Sequence, residues 1–252
     1  MNAVPIVRVA SPASSLAGLR VKLFADGADR RDMLEMSSRP YIRGLTTNPT
    51  LMRKAGVADY RAFAREILSH IRDKPLSFEV VCDEFADMER QALEIAGWAD
   101  NVYVKIPVTN TRGEPSYDLV RRLSSQGVKV NVTALMTLRQ VRAVLEALSP
   151  EVCSYLSVLA GRIADTGVDP LPLMAEAVRL AGSHPRAEVI WASPRELLNI
   201  FHADRIGCHI ITASRDILDK LPLIGHSLDA YSLDTVRMFY RDAVASGFSL
   251  QA

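Results

Sequence analysis

Eight short apolar, β-branched runs recur along the chain at fairly even intervals. They are VKLFADG (21–27), GLTTNP (44–49), LSFEVV (76–81), VYVKIPV (102–108), KVNVTAL (129–135), YLSVLAG (155–161), EVIWAS (188–193) and HIITAS (209–214). Such near-continuous apolarity suits parallel strands covered on both faces. Helical spacing fills the gaps over 59–73, 83–100, 116–127, 136–148 and 170–182. In the first of these Phe63, Ile67 and Ile71 fall at four-residue steps, and the third ends at Gly127, a capping glycine. Strand and helix alternating eight times predict a closed (β/α)8 TIM barrel. An open doubly wound sheet is the alternative, but no GxGxxG follows the first run and the count of eight favours closure. One domain is expected over 20–225, with an N-terminal extension (1–19) and a C-terminal helix and tail (226–252). That last helix, near 230–246, carries Tyr231, Val236, Phe239, Tyr240 and Val244, and is expected to pack on the barrel or on a neighbouring subunit.

The 252 residues are 48% hydrophobic, with a formal net charge of +1. That is material for a core without a basic field for nucleic acid. Cys82, Cys153 and Cys208 are odd in number and lack a CxxC spacing, which argues against a disulfide framework or structural zinc. The first residues, interrupted by Pro5, Arg8 and Pro12, make a poor signal peptide, and no run reaches the length of a membrane span. A cytoplasmic protein is expected. Neither metal nor cofactor is implied: His202 and His209 lack carboxylate or cysteine partners at ligand spacing and read as surface or packing residues.

In barrels of this kind the active site lies at the C-terminal ends of the strands. Seven of the eight runs place a chemically capable group there: Asp26; Thr46, Thr47 and Asn48; Glu79; Lys105; Asn131 and Thr133; Ser157, then Arg162; Ser193, then Arg195. Any one could be a satisfied core polar group. Buried together without partners they would cost several kcal/mol each. Side chains alternate along a strand, so Tyr103 shares a face with Lys105, and Asn131 with Thr133. If those faces point inward, a lysine, an amide, a hydroxyl and two carboxylates meet in the barrel mouth.

Lys105 sits within NVYVKIPVT, where almost every neighbour is apolar or β-branched. Desolvation disfavours an ammonium ion, and a neutral amine attacks carbonyls to form a Schiff base that can draw electrons from an adjacent C–C bond. The plainer alternative is a buried ion pair with Asp26 or Glu79. Imine chemistry needs proton carriers. Glu79 is the candidate for holding a water, with Thr133 as second anchor. Asp26 is the candidate for the hydroxyl proton beside the broken bond. The plain alternatives are a barrel ion pair for Glu79 and a turn or helix cap for Asp26. Arg162 and Arg195 are candidates for a phosphate, or are solvated loop charges.

These stretches are familiar as a set: LFADGAD, GLTTNPTLM, SFEV, VYVKIPVT, VNVTALMT, AGRIAD and ASPR. The chain resembles the transaldolase family, especially its short bacterial members and the related fructose-6-phosphate aldolases, from about residue 21 to 221. The resemblance implies a Schiff base on Lys105, with Asp26 as acid/base for C–C cleavage and Glu79 and Thr133 on a catalytic water. It implies that Asn48 contacts the sugar, Asn131 a donor hydroxyl or the imine region, Ser157 the donor's terminal hydroxyls and Ser193 the donor pocket. Arg162 and Arg195 would bind the sugar phosphate. It also implies sugar or sugar-phosphate substrates and a homo-oligomer. The aldolase branch typically has glutamine in place of Glu79 and a tyrosine in place of Leu159, so transfer of a dihydroxyacetone unit is favoured over its release. A barrel that binds sugar phosphate without turnover is the remaining alternative. Val158, Leu159 and Pro194 depart from the family pattern and are expected to line the substrate mouth.

Overall fold

The computed structural model describes residues 16–248. Most of the expected N-terminal extension lies outside them; Leu16–Gly18 forms a single 3-10 turn. The chain then alternates β1 (Lys22–Asp26), α1 (Arg30–Ser38), β2 (Ile42–Thr46), α2 (Pro49–Lys54), α3 (Tyr60–His70), β3 (Leu76–Glu79), α4 (Phe85–Ala96) and β4 (Val102–Pro107). It continues with α5 (Tyr117–Ser125), β5 (Val130–Leu135), α6 (Leu138–Ala147), β6 (Ser154–Val158), α7 (Ala160–Ala164) and α8 (Leu171–Ala181). The last elements are β7 (Ala187–Trp191), α9 (Leu198–Arg205), β8 (Ile210–Ser214), α10 (Arg215–Leu218) and α11 (Leu228–Ala245). The strands form a closed parallel barrel in sequence order, sealed where β1 pairs with β8.

Local chemistry sets the helix boundaries. Asp29, Asn48 and Asp59 each accept a hydrogen bond from a backbone N–H of the first turn of α1, α2 and α3. Thr137 and Gln140 close a reciprocal capping box on α6. Several runs leave the sheet earlier than the sequence suggests, two of them because a helix begins. The 44–49 run leaves the sheet at Thr46, because Asn48 caps α2 and Pro49 occupies its first turn. The 155–161 run ends at Val158, and Ala160 already opens α7.

Alternation along the strands separates two cores. Outward residues such as Val104, Ile106, Leu156 and Val158 are fully buried beneath the helices. Inward residues Phe24, Tyr103, Tyr155, Ile190 and Ile210 plug the barrel. Within the plug Tyr103 and Tyr155 stack with centroids 3.9 Å apart, and Phe24 meets Tyr155 edge-on at 6.0 Å. Gly44 on β2 makes room for this: a Cβ there would lie 2.4 Å from the Phe24 ring. The plug is the apolar floor on which the polar residues of the mouth stand.

The C-terminal helix buries none of its residues against the rest of the described residues. Leu228, Phe239 and Tyr240 are 84%, 63% and 71% exposed. No described helix is long and apolar enough to cross a membrane.

Candidate active site

Lys105 is the fourth residue of β4, in register with Glu79 on one side and Asn131 on the other. Only 7% of it is exposed. Its Nζ donates to the backbone oxygen of Thr47 at 2.9 Å and lies 3.1 Å from Glu79 Oε2. The ion-pair alternative thus describes the resting geometry, with Glu79 as the partner. The same contact puts a proton acceptor beside the amine, so pairing and proton exchange use one geometry.

Glu79 ends β3, and that end is braced from outside. Tyr60 of α3 donates to the Glu79 backbone oxygen at 2.9 Å, and Val81 N donates to Gln91 Oε1 of α4 at 2.8 Å. Tyr60 itself packs against Phe78 and Trp98.

Asp26 ends β1 and is partly exposed at the mouth. Thr46 Oγ1 donates to its Oδ1 at 2.7 Å, and the Thr46 and Thr212 hydroxyls are 2.6 Å apart. Its carboxyl is pushed above the ordinary value, foremost by desolvation and also by Glu79. The charge of Lys105 and the Thr46 hydrogen bond act the other way without prevailing. Asp26 therefore holds a proton more readily than an exposed carboxylate. It is not the helix cap considered above; Asp29 takes that place.

Below Glu79 and Thr133 runs a buried polar chain. Ser157 Oγ donates to Asn131 Oδ1 at 2.7 Å, and Asn131 Nδ2 donates to Ser77 Oγ at 3.0 Å. Asn131 and Ser157 so satisfy each other, and one Asn131 N–H is left over. Thr133 is 7% exposed, and its hydroxyl has no hydrogen-bond partner among the described residues. Just beyond it the β5–β6 register shifts and Ala134 takes a φ of 62°.

The other candidates lie on the rim. Asn48 spends its Oδ1 on the Leu51 N–H at 3.0 Å, which leaves its amide N–H groups without a partner among the described residues. Ser193 has a φ of 56°, a strained value for a non-glycine residue. Its carbonyl presses on α7 so closely that a Cβ on Gly161 would lie 1.5 Å from it. Arg195 is no free loop charge: its Nε donates to Asp165 Oδ1 at 2.8 Å and its Nη2 to Oδ2. Arg162, on α7, is exposed and has no ion-pair partner among the described residues.

One expectation about the mouth changes. Val158 faces the helices and is fully buried, since Tyr155, Ser157 and Leu159 take the inward positions. Pro194 is buried between Ser193 and Arg195. Leu159 packs against the barrel interior. Thr212 and Ser77 belong to the polar layer but were not among the sequence candidates. In both cases the signal was present, two residues before Ser214 and two before Glu79 on the same face. His209 Nδ1 accepts from Val189 N at 3.1 Å and His202 lies near Trp191, the packing roles expected of them.

The chain is a closed (β/α)8 barrel with an amine and two carboxylic groups at its mouth. The family model for Transaldolase/Fructose-6-phosphate aldolase matches residues 23–250. A probable transaldolase of Methanococcus maripaludis is 33% identical over 218 residues, 85% of this chain and 97% of the relative. Another, of Clostridium acetobutylicum, is 34% identical over 224 residues, 88% and 99% of the two chains. The chain belongs to the transaldolase/fructose-6-phosphate aldolase family, a family of aldolase- and transferase-type enzymes. The crystal structure of 3-keto-L-gulonate-6-phosphate decarboxylase from Vibrio cholerae superposes with a TM-score of 0.54 at 13% identity, covering 81% of this chain and 95% of that one. This likeness concerns the fold alone.

Proposed function

We propose that the chain is a transaldolase, moving a dihydroxyacetone unit from a ketose or ketose-phosphate donor to an aldose or aldose-phosphate acceptor through a Schiff base on Lys105. The observation that carries this reading is the Lys105–Glu79 contact at 3.1 Å, held beside a desolvated Asp26 above an apolar plug. Glu79 takes a proton from the ammonium, and the freed amine adds to the ketone carbonyl. Water leaves, with Glu79 and Thr133 steering it, and the iminium forms. Asp26 accepts the proton of the hydroxyl beside the C–C bond as that bond breaks, and the electron pair moves into the enamine. The aldehyde departs. An acceptor aldehyde enters, the enamine carbon attacks it, and Asp26 returns the proton to the new alkoxide. Hydrolysis of the imine restores Lys105. A general base works best when its pKa lies near the working pH, the direction in which burial moves Asp26.

Asn48 brings unpartnered amide N–H groups to the sugar, while Asn131, Ser157 and Ser193 shape the donor side. Arg162 and Arg195 supply guanidinium groups for a phosphate. Leu159 offers no phenol to the barrel interior. No phenol is then at hand there to assist protonation of the enamine carbon and hydrolysis of the resulting imine, and the acceptor collects the enamine. The test is product analysis with fructose 6-phosphate, with and without an added aldose phosphate. Transfer product only with acceptor is expected. Steady release of free dihydroxyacetone without acceptor would make the chain an aldolase, and phosphate-sugar binding without either product would make it a binding barrel.

The quaternary state follows from α11. Exposed apolar side chains such as Leu228, Val236, Phe239 and Tyr240 are stabilised when covered, and none of the α11 residues is buried among the described residues. A neighbouring copy supplies the cover in this reading. Sedimentation should give at least a dimer, and removal of residues from Leu228 onward should shift the protein to monomer. The free thiols of Cys82, Cys153 and Cys208 suit the reducing cytoplasm; burial raises that of Cys208 to about 12, which keeps it unreactive.

A further inference from the structure

We infer that Asp165 is a specificity-determining residue: it competes with a substrate phosphate for Arg195 and so sets how strongly the site favours phosphorylated over unphosphorylated sugars. The inference rests on the reading that Arg162 and Arg195 form the anion site.

Three observations carry it. First, Arg195 reaches Asp165 with two parallel hydrogen bonds, the fork geometry it would otherwise offer to a phosphate. Second, the two partners are held together by the backbone. Asp165 caps α7, and α7 is seated by Gly161 directly on the carbonyl of Ser193, two residues before Arg195. A Cβ at Gly161 would also lie 3.4 Å from the Arg195 guanidinium carbon, so the fork lies against α7. Third, Arg162 stands three residues before Asp165 on the same short helix, on the same face. The hydrogen bonds from Arg195 foremost, then its charge and that of Arg162, hold the Asp165 carboxyl below its ordinary range.

The rim is thus an Arg–Asp–Arg cluster with one net positive charge. An incoming phosphate must break the Asp165 fork and sit beside a carboxylate; a neutral sugar hydroxyl does neither. The ion pair is about half exposed on both sides, so its own strength is modest. The larger effect comes from removing a negative charge next to the phosphate dianion.

The test is titration of inorganic phosphate into the ligand-free protein by calorimetry, with wild type, Asp165→Asn, Asp165→Ser and Arg195→Gln. The serine variant keeps a helix-end hydrogen-bonding group should asparagine disturb the fold. Phosphate Kd is expected to fall roughly three- to tenfold in both Asp165 variants and to rise at least that much in Arg195→Gln. The kcat/KM ratio of glyceraldehyde 3-phosphate over glyceraldehyde should rise by a similar factor in the Asp165 variants. If Arg195→Gln weakens phosphate while the Asp165 variants bind it equally or more weakly, Asp165 only supports Arg195 and the inference is wrong. If Arg195→Gln leaves phosphate binding unchanged, or no protein of the set binds phosphate, the anion-site reading fails and takes the inference with it.

Discussion

Lys105→Met is expected to lower turnover by about 10⁴-fold, about 5.5 kcal/mol of barrier, with the far-ultraviolet circular dichroism unchanged. Methionine keeps the length and most of the volume of the side chain, so the packing inside the barrel mouth beside Thr47 and Glu79 survives. The amine that would make the imine does not. The substitution also strips Glu79 of its partner at 3.1 Å. Removing one member of a buried pair is costly, about 3–5 kcal/mol where burial is complete. Glu79 is less enclosed than that, with 15% of its side chain exposed, so a smaller loss is expected. The double variant Lys105→Met with Glu79→Gln separates the two roles. It should recover most of the lost melting temperature and none of the turnover. Recovery of turnover to within tenfold of the wild type would leave Lys105 a structural ion-pair member and nothing more.

The second large effect belongs to Asp26. Asp26→Asn is expected to slow C–C cleavage by about 10²–10⁴-fold, while imine formation at Lys105 persists. The same variant should be more stable than wild type at neutral pH. The folded carboxyl titrates above its unfolded value of about 3.9. Below that value both states are protonated and the shift has no effect. As pH rises the unfolded chain ionises first, which favours unfolding, and the penalty is complete once pH has passed the folded value. Asparagine abolishes the penalty. Its melting temperature should exceed that of wild type at pH 7 by about 2–4 °C for each kcal/mol removed, and the two should converge below about pH 4. An unchanged difference between pH 3.5 and pH 7 would mean that Asp26 is not desolvated as described.

Much of this arrangement is legible in the chain. Period-two alternation through VYVKIPV and KVNVTAL sends Lys105 and Asn131 to the same interior, and the eightfold strand–helix alternation gives the closed barrel. What remained hidden is partnering. Whether Lys105 faces Asp26 or Glu79 depends on strand register, which a single sequence leaves open; in the barrel Glu79 and Lys105 are register partners. That Arg195 is engaged depends on Asp165, brought near by the seating of Gly161 on Ser193, a contact between backbones. Val158 was misplaced because LSVLAG reads as one run, although Ser157 and Leu159 face inward and Val158 between them faces out. The helices α1, α2, α7, α9 and α10 lie outside the helical spans read from the sequence, because four to nine residues carry too little periodicity to register.

The central claim is that Lys105 forms a covalent imine with a ketose. The most direct test is intact-mass measurement after borohydride reduction in the presence of fructose 6-phosphate, then dihydroxyacetone, comparing wild type with Lys105→Met. A stable three-carbon adduct on wild type, mapped to Lys105 and absent from the variant, is the expected result. An adduct of equal yield on the Lys105→Met protein, or none on folded wild type across a panel of ketoses, would contradict the account.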